Sequence, residues 1–267
     1  MKPAPFTYHD PTTADEAVAL LASHEDAKIL AGGQSLMPML NMRFVVPDHV
    51  IDLNRIDGIA GIRDAGDRIE IGAMTRQRDL MRDPVIAAKA PVIAEALNWV
   101  GHFQTRNRGT IGGSISNNDP AADYPSAVVG LGATVHTNKR EIPGDDFFTG
   151  MFETALEEDE LVTKVVFPIP EKAAYMKFPN PASRYAVVGT FVSQGPQGTR
   201  VAVTGAGPCV FRQSEMESAL EGNFAPEAVE NIKQDDGDLN SDIHASAEYR
   251  AHLVTVMAKR AVAEANG

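Results

Sequence analysis

The chain has 267 residues, 43% hydrophobic and 22% charged, a length that allows one large domain or two modest ones. The composition excludes a disordered chain, and no apolar run is long enough to cross a membrane. The formal charge of −12 disfavours nucleic-acid binding. The single cysteine, Cys209, excludes a disulfide framework and a self-contained iron–sulfur cluster. With one reduced thiol and no secretory signal pattern, we expect a cytoplasmic protein.

The first half of the chain is predicted to alternate short helices and strands. A capping-box pattern from Thr13 to Glu16 predicts a helix through about His24, whose buried face would be Val18, Leu21 and Ala22. Apolar runs predict strands at 29–31, 50–53 and 68–71. Helical segments are predicted near residues 75–80 and 85–100.

The second half continues the mixture and then changes character. A helix is predicted at 124–131, and strands are predicted at 133–137 and 161–167. A proline-rich stretch at 168–180 indicates a domain boundary, followed by strands at 185–192 and 200–205 and helices at 212–221, 226–233 and 244–264. In the last helix, one face is predicted to carry Tyr249, Leu253, Val256, Met257 and Arg260.

Two glycine-rich segments are the most informative part of the sequence. The first runs from Ala31 to Leu36 directly after a predicted strand, and the second runs from Gly109 to Ser114 before a polar loop. Glycine pairs permit positive φ and a close approach of the backbone to a ligand. Consecutive amides in such turns form an anion-binding nest, to which serine and threonine hydroxyls add donors. Two such segments suit a pyrophosphate.

Neither glycine segment matches the dinucleotide fingerprint G-x-G-x-x-G or the phosphate loop of nucleoside triphosphatases. A glycine pair after a strand is commonly a tight turn with no ligand. Spacing alone therefore indicates only a candidate phosphate site.

With their flanks, the two segments resemble the FAD-binding medium subunit of molybdenum hydroxylases, the group that includes aerobic carbon monoxide dehydrogenase and xanthine dehydrogenase. Family members carry Ala-Gly-Gly-(His/Gln)-Ser-Leu and Thr-Ile-Gly-Gly-Asn, about 80 residues apart, and here these begin at Ala31 and Thr110. The resemblance extends over nearly the whole chain, through Phe6-x-Tyr8-x-x-Pro11, Ile51-Asp52-Leu53, Ile71-Gly72-Ala73-Met74-Thr75, Asp119-Pro120-Ala121-Ala122-Asp123 and Ser246-Ala247-Glu248-Tyr249-Arg250.

The resemblance implies an α+β fold in two domains. Residues 1–170 would form a two-part FAD-binding domain of the vanillyl-alcohol-oxidase (PCMH) type, with two α/β subdomains split near residues 55–60. Residues 175–267 would form a C-terminal domain of the carbon monoxide dehydrogenase flavoprotein type, with a small antiparallel sheet and helices.

The resemblance also implies a set of cofactor-binding residues. The FAD pyrophosphate would lie on the two glycine segments, formed by Ala31, Gly32, Gly33, Gln34, Ser35, Leu36, Thr110, Ile111, Gly112, Gly113 and Ser114. Asp123 would accept hydrogen bonds from the ribose, and Leu161 would lie beside the flavin. Tyr185 would stack on the isoalloxazine ring, although an ordinary aromatic residue of a strand is the alternative.

Three positions depart from the family pattern. Gln34 stands where several relatives have a histidine, and a carboxamide cannot form a histidyl–flavin bond, so non-covalent FAD is expected. Ser114 replaces a frequent asparagine, and Arg184 stands where an aspartate often precedes the tyrosine. Serine at residue 114 keeps a hydrogen-bond donor but lacks the amide carbonyl. Arginine at residue 184 leaves the polar contacts around Tyr185 undetermined.

In the family, this subunit transfers electrons and does not itself oxidise the substrate. A large partner subunit carries molybdopterin and a small one carries two [2Fe-2S] clusters, from which electrons pass through FAD to an external acceptor. The resemblance thus implies a dimer of heterotrimers, a heterohexamer. No catalytic acid–base pair or nucleophile stands out in this chain, as expected for an oxidoreductase subunit of this kind.

Two alternatives stay open at this point: a stand-alone FAD-dependent oxidase, and a non-catalytic nucleotide-binding module that uses the same segments. Gln104 and Arg106, just before the second segment, would either reach the cofactor or lie solvated at the surface. The seven histidines are scattered along the sequence without metal-ligand spacing, so no metal site is expected in this chain.

Overall fold

The first part of the fold is a small parallel sheet of three strands with two helices. The computed structural model describes residues 1–267. The sheet has the order β1–β3–β2, and the elements of this part are β1 (Thr7–His9), α1 (Ala14–Ser23), β2 (Ala27–Leu30), α2 (Leu36–Met42) and β3 (His49–Asp52). A single 3₁₀ turn, Leu53–Arg55, follows.

The predicted capping of helix α1 is present, and its predicted buried face is correct in part: Val18 and Leu21 pack against the core, but Ala22 does not. The Thr13 side chain accepts a hydrogen bond from the Glu16 amide at 3.2 Å, and the Glu16 carboxylate in turn accepts from the Thr12 amide. The buried residue is Ala17, whereas Ala22 is exposed. Small alanines occupy both faces of this helix, so its periodicity does not identify the packed face.

The second part is an antiparallel sheet of five strands with helices around it. The strand order is β4–β5–β10–β6–β7, with a separate two-stranded ribbon β8–β9. Its elements are β4 (Ile62–Asp64), β5 (Arg68–Gly72), α3 (Gln77–Leu80), α4 (Pro84–Lys89), α5 (Pro91–Asn98), α6 (Phe103–Arg108), α7 (Ile111–Asn117), α8 (Tyr124–Gly130), β6 (Thr134–Thr137), β7 (Glu141–Pro143), α9 (Gly144–Phe147), β8 (Phe148–Gly150), β9 (Glu153–Thr154) and β10 (Val162–Pro168).

Two sequence predictions in this part are wrong. The helix predicted over 85–100 is two helices, α4 and α5, because Pro91 cannot continue a helix and starts the second one instead. The second glycine segment is not a loop. Thr110 caps helix α7 by accepting a hydrogen bond from the Gly113 amide at 3.1 Å, so both glycines of the pair lie in the first helical turn.

The C-terminal part is an antiparallel sheet of four strands, in sequential order, packed against helices. Its elements are β11 (Lys172–Pro179), β12 (Ala186–Gly195), β13 (Gly198–Thr204), β14 (Phe211–Arg212), α10 (Ser214–Gly222), α11 (Pro226–Val229) and α12 (Ala247–Ala265). Together with the mixed sheets and helices of the first two parts, this arrangement confirms the predicted α+β fold. Strand β11 was missed because its flanking prolines indicated a linker, yet they lie only at or beyond its ends.

The predicted face of helix α12 is also correct only in part, since Leu253, Val256 and Met257 belong to the core or pack against it. Tyr249 and Arg260 are exposed, whereas Arg250 is only 4% exposed and lies in line with Leu253 and Met257. The Arg250 guanidinium donates to the carbonyls of Val187 and Gly205 at 2.7 and 3.0 Å. A buried arginine that donates to backbone carbonyls cannot be recognised from a hydrophobic pattern.

The hydrophobic core joins the second and third parts of the molecule. One cluster combines Ile71 and Val165 of the five-stranded sheet with Tyr175 and Phe191 of the C-terminal sheet. A second cluster lies between the C-terminal sheet and α12, and a small third one supports the three-stranded sheet and includes Leu161. No helix of the chain combines the length and the apolarity needed to cross a membrane.

A candidate cofactor-binding cleft

An elongated cleft of about 650 Å³ lies where the three parts of the molecule meet. Gly32 from the three-stranded part, Leu161 beside the five-stranded sheet and Lys177 from the C-terminal sheet all line it. The volume lies within the range of roughly 300–1,000 Å³ that is common for small-molecule and cofactor sites.

The first glycine segment presents free backbone donors to this cleft. It leaves the carboxyl end of strand β2, and Gly33 has a φ of +75°, which glycine adopts without strain. The five consecutive N–H groups of residues 32–36 donate no hydrogen bond to any backbone carbonyl of the chain. Such a run of unused amides beside a cavity is a nest for an anion.

The second segment lines the cleft differently, and here the prediction of a second amide nest is wrong. The Gly112 amide donates to the carbonyl of Ala73 at 2.8 Å, and the Gly113 and Ser114 amides both donate to Thr110. These N–H groups are therefore unavailable to a ligand. Helix α7 contributes instead a glycine surface and two hydroxyl residues that line the cleft, Ser114 and Ser116.

Of the four glycines in the two pairs, three are required by close packing and not by a positive φ. A Cβ atom on Gly32 would lie 2.3 Å from the carbonyl oxygen of Arg108, and one on Gly112 would lie 2.6 Å from the Cβ of Ala73. At Gly113 the Thr110 hydroxyl would be 2.8 Å away. Only Gly33 has a positive φ. At these three positions glycine is needed because the backbone packs directly against neighbouring backbone or against short side chains.

Asp123 lies at the inner wall of the cleft with both oxygens already in use. It accepts hydrogen bonds from the Tyr175 hydroxyl at 2.5 Å and from the Lys177 ammonium at 2.9 Å. The Lys177 side chain is 1% exposed. Burial raises the pKa of Asp123 and lowers that of Lys177, and the attraction between the two opposes both shifts. Asp123 can meet a ligand only with its remaining lone pairs.

Tyr185 lies at the mouth of the cleft, and the residue before it has a left-handed backbone conformation. Its side chain is 51% exposed although the residue lines the cavity. The preceding Arg184 has a φ of +64°, held by hydrogen bonds between Asn180 and residues 184 and 185. Partial burial, with the nearby Asp119, raises the pKa of the Tyr185 hydroxyl. A tyrosine ring aimed at open cleft is available for stacking.

Comparison with known proteins identifies the family. The family model described as the FAD binding domain in molybdopterin dehydrogenase matches residues 4–170, and the carbon monoxide dehydrogenase flavoprotein C-terminal domain matches residues 173–265. The chain belongs to this flavoprotein family. The resemblance seen in the sequence is thereby confirmed.

Individual members of the flavoprotein family match this chain over almost its full length. The carbon monoxide dehydrogenase medium chain of Hydrogenophaga pseudoflava is 37% identical, with 98% of this chain and 97% of the relative covered. The nicotine 6-hydroxylase medium subunit of Paenarthrobacter nicotinovorans is 34% identical over 99% of each chain. A solved structure of the Hydrogenophaga pseudoflava enzyme, lacking the Mo-pyranopterin moiety of its cofactor, superimposes with a TM-score of 0.90 at 36% identity, covering 99% and 98% of the two chains.

The cleft fits the FAD of the flavoprotein family, judged on the residues present. The five free amides of residues 32–36 are neutral donors of the kind that a pyrophosphate requires. Of the fourteen predicted contact residues, thirteen line the cleft. Ile111 does not, because its side chain is fully buried in the core and its amide donates to the carbonyl of Thr75.

Sequence reasoning assigned no cofactor contact to several polar residues of the cleft, among them Asp119 and Lys177. Asp119 accepts from the Ala121 amide at 2.9 Å with one oxygen, and burial raises its pKa. Lys177 could have been found, since a lysine between Met176 and Phe178 is a charge in an otherwise apolar strand. Gln104 and Arg106 line a shallow pocket next to the cleft, where Arg106 donates to the carbonyl of Val100 at 2.7 Å.

Proposed function

We propose that this chain is the FAD-carrying medium subunit of a molybdenum hydroxylase, passing electrons from [2Fe-2S] clusters of a small partner subunit through FAD to an external acceptor. The substrate would be oxidised at molybdopterin in a large partner subunit. The observation that carries the proposal is the run of five free amides at residues 32–36, placed in a cleft of cofactor size. Bound FAD would supply the ability to exchange electrons with one-electron and two-electron partners.

We propose distinct roles for the residues of the cleft. The amides of residues 32–36 and the side chains of Ser35 and Ser114 would bind the pyrophosphate, with Ala31, Gln34, Leu36, Thr110, Gly112 and Gly113 forming the rest of its surroundings. Leu161 would pack beside the flavin, and Tyr185 would stack on the ring. Asp123 is fixed in place by Tyr175 and Lys177, and its free lone pairs would accept hydrogen bonds from the ribose hydroxyls. With glutamine at residue 34, the flavin would be held without a covalent bond.

We propose that the assembly is a dimer of heterotrimers in the cytoplasm. The relatives of this chain are described as medium chains or subunits, which supports an assembly of different chains. A half-buried, unpaired Cys209 supports a reducing compartment. The division into an FAD-binding domain of residues 1–170 and a C-terminal domain of residues 175–267 is supported by the separate sheets of the two regions.

Purification from the native host under non-denaturing conditions tests this function. We expect this chain, carrying a tag free of histidine, to bring down one large and one small partner. The preparation should contain one FAD, one molybdenum and about four iron atoms per heterotrimer, since two [2Fe-2S] clusters hold four. Native mass spectrometry should give two copies of each chain.

Two results would contradict the proposal. A yellow chain that purifies alone and oxidises an alcohol or aldehyde unaided would instead be a stand-alone oxidase. A colourless chain without metal-containing partners would be a nucleotide-binding module.

A further inference from the structure

Three histidines that are far apart in the sequence meet in the three-stranded part of the molecule. His9 ends strand β1, His49 begins strand β3, and His24 is the C-cap of helix α1. The sequence spacing gave no indication that these three residues meet in the fold. In the register of the parallel sheet, His49 pairs with Thr7. His9 and His49 thus lie two positions apart on the same face of the sheet.

The three imidazoles form one compact cluster. The rings of His24 and His49 stack with centroids 3.8 Å apart, and the His9 ring lies 5.3 Å from that of His24 and 5.2 Å from that of His49. One ring nitrogen from each residue lies within 4.8 Å of the other two. All three residues are half-buried, so solvent ions have access.

The ring nitrogens of this cluster have no other protein partner. Their one hydrogen bond joins His9 Nε2 to His49 Nδ1 at 2.9 Å. The only histidine paired with a carboxylate in the chain is His136, with Glu141. No carboxylate forms an ion pair with these three imidazoles, so their nitrogens are available as ligands.

We propose that His9, His24 and His49 bind a divalent transition-metal ion of the zinc, nickel and copper group. Three neutral imidazoles are the ligands these ions prefer, whereas magnesium and calcium require oxygen. In a tetrahedral zinc site, with Zn–N bonds of 2.0–2.1 Å, ligand nitrogens lie about 3.4 Å apart. In the cluster, His9 Nε2 and His49 Nδ1 are 2.9 Å apart, and one nitrogen from each ring lies within 4.8 Å of the other two. A solvent molecule completes the fourth position.

Binding requires small changes within the cluster and no change of the backbone. The stacked rings rotate so that one nitrogen of each points to a common centre. The proton between His9 Nε2 and His49 Nδ1 moves to the other nitrogen of its own ring, so the neutral ligands bind without a net loss of protons. The backbone is fixed by hydrogen bonds on both sides of His24, from its own amide to Leu21 and from Ala27 to its carbonyl.

The proposed metal site is separate from the flavin cleft. Strand β2 runs from Ala27 to Leu30, with His24 before its amino end and the glycine segment after its carboxyl end. None of the three histidines lines the cleft. An ion here joins β1, α1 and β3, the elements that support the loop of free amides, so its effect is to stabilise that sheet.

Titration of the metal-stripped, FAD-loaded full chain with Zn²⁺ tests the proposal. Isothermal titration calorimetry, on protein purified with a tag free of histidine, should give one high-affinity site per chain. Each of the variants His9→Gln, His24→Gln and His49→Gln should weaken binding at least tenfold, because each removes one of three ligands. Zinc should raise the melting temperature of the wild-type chain and not that of the variants.

The matched control is His252→Gln, at an exposed position on helix α12. It should bind zinc like the wild-type chain, and all four variants should keep their FAD. A wild-type chain with no site tighter than that of the His24→Gln variant would overturn the proposal, as would an equal loss in the His252→Gln variant.

A spectroscopic measurement on the wild-type chain removes dependence on the folding of the variants. X-ray absorption at the zinc edge should show imidazole scattering from three histidines, with nitrogen at about 2.0–2.1 Å. A shell dominated by oxygen, or fewer than two imidazoles, would contradict the assignment even if zinc binds.

Discussion

At the scale of single residues, Gly32 and Gly112 allow the two glycine segments to pack closely against residues distant in sequence. Glycine at residues 32 and 112 could be placed beside a ligand from the motif, but the reason was inferred incorrectly. Neither has a positive φ, and both are required by contacts with the backbone or Cβ of residues distant in sequence. Such contacts depend on tertiary packing and leave no local signal in the sequence.

The Gly32→Ala variant should lose FAD binding with little loss of fold. Its new Cβ would lie 2.3 Å from the carbonyl oxygen of Arg108, so the first glycine segment must move away from the second. We expect the dissociation constant of FAD, measured by flavin fluorescence quenching, to rise at least tenfold, which is about 1.4 kcal/mol. The control is Gly222→Ala, where a Cβ has open space. An unchanged FAD affinity in Gly32→Ala would show that the two segments are not held in contact.

Glu160, next to Leu161 of the cleft, is the residue with the clearest pH dependence. The bidentate Arg140 guanidinium, with further hydrogen bonds from Thr137 and the Glu157 amide, lowers the pKa of Glu160 to about 2. Because this folded-state pKa lies below the unfolded value, the stabilisation is complete above about pH 4.5 and is lost as the pH falls towards 2. Since Arg140 is 44% exposed, solvent screening makes the stabilisation smaller than the pKa shift alone would indicate.

The Glu160→Gln variant should lack this pH dependence. Urea unfolding at pH 7 and pH 3 should show a smaller difference in the free energy of unfolding for the variant than for the wild-type chain. Glu158→Gln is the control, since Glu158 is exposed and forms no ion pair. Equal pH dependence in all three proteins would contradict the role of the Arg140–Glu160 pair.

At the scale of the elements, most helices and strands could be predicted, and the failures have specific causes. Capping and apolar runs identified α1, β2, β5 and α8, because these signals are local. Strand β11 was hidden by prolines at its ends, and helix α7 by a glycine pair that usually indicates a loop. In both cases tertiary contacts outweigh the local preferences.

Helix α12 provides a test of which face is packed. Arg250 donates to two backbone carbonyls and to Asp242, whereas Arg260, on the same helix, is exposed. Arg250→Met would leave those carbonyls without a donor, so we expect a loss of about 3 kcal/mol in the free energy of unfolding. Arg260→Met should change it by less than about 0.5 kcal/mol. Equal effects in urea titrations would mean that the packed face is assigned incorrectly.

At the scale of the whole molecule, the cleft is composite, and this is what the sequence predicted least. The motif located thirteen lining residues, but not the way in which three sheets bring them together. The buried contact of Asp123 with Lys177 and Tyr175 joins helix α8 to strand β11 across the two domains. Pairings across more than 50 residues cannot be inferred from one sequence without an alignment.

The Asp123–Lys177 pair should be essential to the junction between the domains. Lys177→Met leaves a buried carboxylate without its cation, so we expect a loss of about 3–5 kcal/mol in the free energy of unfolding. The double variant Asp123→Asn/Lys177→Met removes both charges and should recover part of that loss. A double variant as unstable as the sum of the two single variants would show that the charges do not interact.

The central claim is that this chain holds one FAD without a covalent bond, on the free amides of residues 32–36. The most direct measurement is the flavin content of the purified full chain, before and after denaturation with acid. We predict one FAD per chain, released completely into the supernatant as unmodified dinucleotide. A chain that stays colourless after incubation with FAD, or flavin that remains attached to the denatured protein, would contradict the account.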